Sequence, residues 1–321
     1  MRLRNLLPIV FLLAASAFAK ATEAGIGSLA TPSTAESPAQ TAGAPATAHS
    51  MKIFAGGVAG VEALARPEAS AKFREAGGGL YLHNNGWADL SPAQQRQTLA
   101  NFKNLPVAIE LGFGGSPGAA QAWAERLRSG YLTLGIKPAF IAANAFAGNN
   151  KPTAAQWAAF SKALRATNLP ASTQILPTFE FANFGENIST LTENTVSKRQ
   201  DFQDIIRIAG GLVLDSPPGY VFSREDNYRA WLIDAIHWCR KQGLTVVWIA
   251  SPHTFGDRFL QDTEKFLGFL RQNGAMPTAI VVENYTDSPP RNYPNVVGQE
   301  DMLNTVLGVA LYLLGRQQSA D

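Results

Sequence analysis

The chain has 321 residues, 46% hydrophobic and 16% charged, with 27 Lys and Arg against 25 Asp and Glu for a formal net charge of +2. No long block of either sign appears, which argues against a nucleic-acid surface and leaves no nucleic acid among the expected partners. The single cysteine, Cys239, cannot form an internal disulfide, so the fold must rest on packing alone.

The chain opens with Met1-Arg2-Leu3-Arg4, continues through an apolar stretch from Leu6 to Ala15 and reaches Ala17-Phe18-Ala19. A basic head, a short apolar core and an Ala-x-Ala-like cleavage site read as a secretory signal peptide over residues 1–21. The apolar stretch is shorter than the roughly 20 residues a bilayer requires, so no stable membrane insertion is expected after cleavage. Residues 22–50 are almost wholly Ala, Thr, Ser, Pro and Gly, a composition too poor in large apolar groups to order itself, and they read as a disordered linker. The expected destination is secreted or periplasmic. Residues 51–321 remain, the size of one eight-stranded α/β barrel.

Past the linker, short β-branched or apolar runs alternate with amphipathic stretches, the pattern of repeated βα units on a parallel sheet. Eight runs read as strands: 52–58, 79–84, 107–112, 138–144, 174–181, 211–215, 245–251 and 278–284. Between them lie helix signals. Ser91-Pro92 sets a cap before a first-turn proline, and Ser116-Pro117 repeats the device before Trp123 and Leu127. Thr153 precedes Trp157, Phe160 and Leu164 at helical spacing. Ser223-Arg224-Glu225-Asp226 opens a helix that carries Trp231, Ile233, Ile236 and Trp238 and closes at Gly243, and a last helix is expected over 299–314. Cys239 falls inside this pattern and reads as a buried, inert thiol; His237 reads as a packed or surface imidazole.

Strand parity predicts closure into a single (β/α)8 barrel. Gly211, Val213 and Asp215 share one face against Leu212 and Leu214; Ala279, Val281 and Glu283 oppose Ile280 and Val282; Ala108 and Glu110 oppose Val107, Ile109 and Leu111. Smaller side chains are expected to point inward and larger ones outward under the helices, with the polar residue near each strand end on the inner face. The competing open, doubly wound sheet would use Ala55-Gly56-Gly57-Val58-Ala59-Gly60 as a phosphate loop, but His83-Asn84-Asn85 stands where an acidic ribose ligand would end the second strand.

In such barrels the loops after the strands surround one mouth. That rim collects His83, Glu110, Asn144, Glu180, Asp215, Ser251 with His253, and Glu283 with Asn284. A buried carboxylate costs several kcal/mol unless paired, hydrogen-bonded or metal-bound. Four converging carboxyls therefore point to an active centre. Asp257, Asp262 and Glu264 read as a solvated helix face, and Glu186, Asn187 and Asp287 as loop residues within reach of the mouth.

Trp87, Phe113, Phe146, Phe179, Phe181, Phe184, Tyr220 and Tyr285 gather near the same rim, and rings beside carboxylates and amides suit a sugar. The layout resembles the barrel-type glycoside hydrolases. That resemblance implies a secreted enzyme cutting a carbohydrate without a cofactor, with Glu180 and Glu283 as the carboxylate pair and Asp215 and Glu110 in reserve. His83, Asn84, Asn144, His253, Asn284, Trp87, Tyr285 and Tyr220 would then hold substrate. The glutamate pattern of the common families is absent, since the fourth strand ends in Ala143-Asn144-Ala145 and the seventh in Ala250-Ser251-Pro252-His253; the chitinase-type Asp-x-x-Asp-x-Asp-x-Glu run is absent too.

The order Glu180, Asp215, His253, Glu283 is also similar to the divalent-metal ligand set of xylose-isomerase-like sugar epimerases, and a metal-dependent phosphodiesterase would use a similar layout. In this chain His253 sits two residues beyond Ser251 rather than on the strand. A third reading is a sugar-binding barrel without catalysis.

Overall fold

Each run read as a strand forms one, and a helix is described between every consecutive pair. The computed structural model describes residues 51–57, 61, 64, 66–146, 152–180, 195–223, 226–252, 258–284 and 305–318. In chain order these are β1 (Lys52–Gly57), α1 (Pro67–Glu75), β2 (Gly79–His83), α2 (Asn84–Asp89), α3 (Pro92–Asn101), β3 (Val107–Gly112) and α4 (Pro117–Gly130). There follow β4 (Phe140–Phe146), α5 (Ala154–Arg165), β5 (Gln174–Glu180), α6 (Gln200–Ala209), β6 (Gly211–Asp215), α7 (Pro218–Ser223) and α8 (Asp226–Lys241). The chain finishes with β7 (Thr245–Ala250), α9 (Phe259–Gln272), β8 (Ala279–Asn284) and α10 (Val306–Gln318). All eight strands pair in parallel, and β8 closes on β1 with Lys52 opposite Ala279 and Gly57 opposite Asn284. The chain is therefore a (β/α)8 barrel. No helix among the described residues is long and apolar enough to cross a membrane. The signal and linker segments lie outside the described residues.

The caps read from sequence act as expected. Ser91 accepts from the Gln94 amide while the Gln94 side chain returns to Ser91, and Thr153 and Gln156 repeat this reciprocal box at α5. Ser116 caps α4 by accepting from the Ala119 amide. The last helix begins later than residue 299: Thr305 caps it, its hydroxyl accepting from the Gly308 amide at 2.9 Å. A cap hydroxyl with an apolar run behind it sets this boundary, and residues 299–304 lie outside the described residues.

The barrel has two apolar layers. Leu80, Leu82, Ile109, Leu111, Leu212, Leu214, Ile280 and Val282 face outward and pack beneath the helices. The inner face holds Ala108, Val213, Ala279 and Val281, as parity predicts, but it also holds Phe54, Tyr81, Phe140, Leu176 and Ile249. The small-in, large-out expectation is thus wrong for β1, β2 and β4, while β5 and β7 still turn Phe179 and Trp248 outward. Phe54 meets Phe140 edge-on with ring centroids 5.3 Å apart, filling a cross-section that small side chains would leave void.

β1 yields space at the other end of the barrel. A Cβ on Gly56 would lie 1.9 Å from the Tyr81 carbonyl oxygen, and one on Gly57, whose φ is +105°, would lie 2.7 Å from the Asn284 backbone. β1 can therefore reach the mouth only as glycine.

Candidate active site

Parity brings one polar set together at the C-terminal ends of the strands. Tyr81 and His83 lie two apart on β2 and point inward with Glu110 of β3, Asn144 of β4, Glu180 of β5, Asp215 of β6 and Glu283 of β8. His83 pairs in register with Glu110, and Glu180 with Asp215. None of the eight described strands ends in Lys or Arg; Lys52, at the far end of β1, is the only one within any of them.

Glu110 is the hub of one half of this set and is 5% exposed. Its Oε2 accepts the Tyr81 hydroxyl at 2.6 Å, and its Oε1 accepts Asn144 Nδ2 at 2.9 Å and faces His83 Nε2 at 3.2 Å. Burial alone would raise its pKa, but the charge and hydrogen bond of His83, with the hydrogen bonds from Tyr81 and Asn144, hold it below the usual carboxylate range. His83 is pulled both ways: burial disfavours its charge, while Glu110 and then Glu180 favour it, and the net direction is upward. Its Nδ1 accepts the Asn85 amide at 3.2 Å, which places the ring proton on Nε2, toward Glu110. The Tyr81 hydroxyl is driven far above its ordinary value by burial and by the charge of Glu110. It therefore stays a donor.

Across the mouth the setting differs. Glu283 is 2% exposed, and its Oε2 has no hydrogen-bond partner among the described residues. Burial first, then the charges of Glu110, Asp215 and Glu180, raise its pKa well above the usual carboxylate range. Asp215 is raised in the same way by burial and by the charges of Glu180 and Glu110. Like charges at close range cannot all persist in a low dielectric, so the neutral form of these two carboxyls is favoured. Beneath Glu180 on the inner face of β5 sits Thr178, 1% exposed, whose hydroxyl also has no partner among the described residues.

All four expected carboxyls therefore influence one another at the same end of the barrel. Asn144 does lie among them, but as a donor to Glu110. Asn84 bonds to the Asn85 side chain at the start of α2, and Asn284 is buried beside Gly57. Tyr220 lies on α7, which follows the end of β6. Trp87 is 2% exposed, stacks on Tyr131 with centroids 6.3 Å apart and donates its indole N–H to the Gly130 carbonyl, so both ring and N–H are already used in packing. Phe113 stacks on Trp157, and Phe146 lies against Phe179 at 4.1 Å. The rings Phe181, Phe184 and Tyr285, the ligand candidate His253, and Glu186, Asn187, Asp257 and Asp287 lie outside the described residues.

Among the described residues no group of three or more His, Cys, Asp or Glu is arranged to hold a metal ion. Asp262 is no solvated residue: it is buried and faces Arg258 at 3.5 Å. Glu264 does sit at the surface, with Tyr312 and Arg316. His237 reaches the Asn273 carbonyl at the surface, and the buried Cys239 thiol is pushed up to about 12 by its enclosure. Sequence reading missed Tyr81, although its place two residues before His83 puts both on one face. It also passed over Thr178, which stands in the same relation to Glu180.

No family model matches the chain, and no curated protein does. Among solved structures, KGPDC from Streptococcus mutans is similar with a TM-score of 0.49 and 9% identity, over 84% of this chain and 99% of that one. No family comparison supports a glycoside hydrolase here. The glycoside-hydrolase expectation is accordingly withdrawn. The aromatic signal behind it has a simpler origin, because Trp87, Phe113, Phe146 and Phe179 are packed against other rings.

Proposed function

We propose that the chain is an acid–base enzyme that moves a proton on a small polar molecule held in the barrel mouth. One contrast carries the reading: burial and like charge push the carboxyls of Asp215 and Glu283 well above the usual carboxylate range, while three donors hold Glu110 below it. Groups whose surroundings drive their pKa values apart are suited to opposite roles. Glu283, with Oε2 unpartnered among the described residues, is the proton donor. Glu180, partly exposed and in register with Asp215, is the acceptor, and Asp215 relays the proton by releasing its own to solvent as it takes the one from Glu180. The chemistry is a proton shift within the substrate or an elimination: the bond to hydrogen breaks toward Glu180, and the departing or rearranged atom takes hydrogen from Glu283. Glu110 and His83 do not exchange protons. They fix the field in which Glu283 and Asp215 remain neutral.

Two measurements test this. Carboxyl carbon NMR should show Asp215 and Glu283 titrating above the ordinary carboxylate range, with Glu110 below it. Incubation with pooled polar small molecules in heavy water should give solvent deuterium incorporation that disappears in Glu283→Gln and Asp215→Asn. Ordinary titration of both carboxyls would end the proposal.

A further inference from the structure

β4 and β5 run in register up to Ala143 opposite Pro177 and then shift, with Phe146 next opposite Phe179, so β4 carries one extra residue where Asn144 and Ala145 lie. Such a bulge bends the strand and re-aims a side chain. Here it turns Asn144 across β3, where Nδ2 donates to Glu110. That bond fixes the amide: with the nitrogen committed, Oδ1 must face the other way, and it meets no donor among the described residues. On the neighbouring strand the Thr178 hydroxyl, 1% exposed, likewise lacks a partner there, and Glu180 stands just above it. Two of these groups, the amide oxygen and the carboxylate, can only accept, and the hydroxyl can accept as well.

We propose that Asn144 Oδ1, the Thr178 hydroxyl and the Glu180 carboxylate form a subsite for a primary ammonium group, making the ligand an amine. It rests on the reading of the mouth as the working site. An ammonium carries three N–H donors, one for each acceptor, and a positive charge that suits a rim of carboxyls. A phosphate or carboxylate ligand would bring more acceptors to a set of acceptors, and no described strand end supplies Lys or Arg to meet it. An uncharged hydroxyl could bond to one or two of the three groups. It would bring no charge opposite to that of Glu180.

The test compares three four-carbon probes that differ in their end groups: putrescine, 1,4-butanediol and succinate. Binding to the full chain is measured by calorimetry, with circular dichroism of each variant as the folding control. Putrescine should bind, with at least roughly tenfold weaker affinity in Thr178→Val and in Glu180→Gln, the loss expected for removing a hydrogen bond to a charged group, while Thr178→Ser stays close to the parent. Binding of succinate or butanediol as tight as that of putrescine would overturn the subsite. So would no putrescine binding, or putrescine affinity unchanged in folded Glu180→Gln. The carboxyl titration separates the two proposals: Asp215 and Glu283 holding protons in a chain that ignores putrescine would remove the amine subsite alone.

Discussion

The two halves of the mouth treat the same functional group in opposite ways. On the side of β2, β3 and β4, Glu110 receives Tyr81, His83 and Asn144 and is held as a carboxylate. Across the barrel, Glu283 is as buried as Glu110, yet its Oε2 meets no donor among the described residues and its pKa is pushed well above the usual carboxylate range. Burial is common to both. The number of donors within reach decides the charge, because hydrogen bonds to the ionised form replace the water it has lost. One half favours the ionised form of its acid, and the other the neutral form.

The sharpest way to break this contrast is Glu110→Ala, which strands three donors in a closed site. It should cost about 3–5 kcal/mol by denaturant unfolding, the range for removing one partner of a buried charged network. A loss under about 1 kcal/mol would mean the clamp holds nothing.

The next test is stability against pH. Asp215 and Glu283 have folded pKa values above their ordinary 3.8 and 4.5, so the folded chain binds more protons than the unfolded one above those values. Their contribution is fully present below the unfolded values and is lost as pH rises toward the folded ones. His83 acts in the same direction above its ordinary 6.5. Glu110 has the opposite sign: its contribution is present above its ordinary 4.5 and is lost as pH falls through its depressed folded value. The double variant Asp215→Asn, Glu283→Gln should flatten the decline on the alkaline side and leave the acid side alone.

Tyr81→Phe removes one charge-assisted hydrogen bond and should cost about 1.5–3 kcal/mol, with the Glu110 carboxyl titrating closer to its ordinary value. A stability loss with no change in that titration would assign Tyr81 to packing alone. Least of all, Glu283→Gln should change stability at neutral pH by under about 1 kcal/mol, since an amide matches the neutral form that burial and like charge favour at this carboxyl. A larger loss would show that Glu283 is ionised and that the halves do not differ as described.

The inward face of the carboxyls was legible because strand periodicity is 2: once Val213 is inside, so is Asp215, and the same holds from Ala108 to Glu110 and from Val281 to Glu283. Local capping chemistry was legible for the same reason, as Ser91 with Gln94 and Thr153 with Gln156 act across three residues. The aromatics misled. A ring is apolar whether it lines a ligand site or a core, and nothing near Trp87 in sequence announces Gly130 or Tyr131 as its partners.

By itself, then, the sequence determined the eight-strand barrel and which acids share its mouth, since both follow from short-range periodicity. What each acid does was decided only by tertiary structure. Asn144 lies 34 residues from Glu110, and Tyr81 lies 29 residues from it. Such contacts depend on barrel shear and on the β4 bulge, and they determine which carboxyl is given donors and which is left to keep its proton.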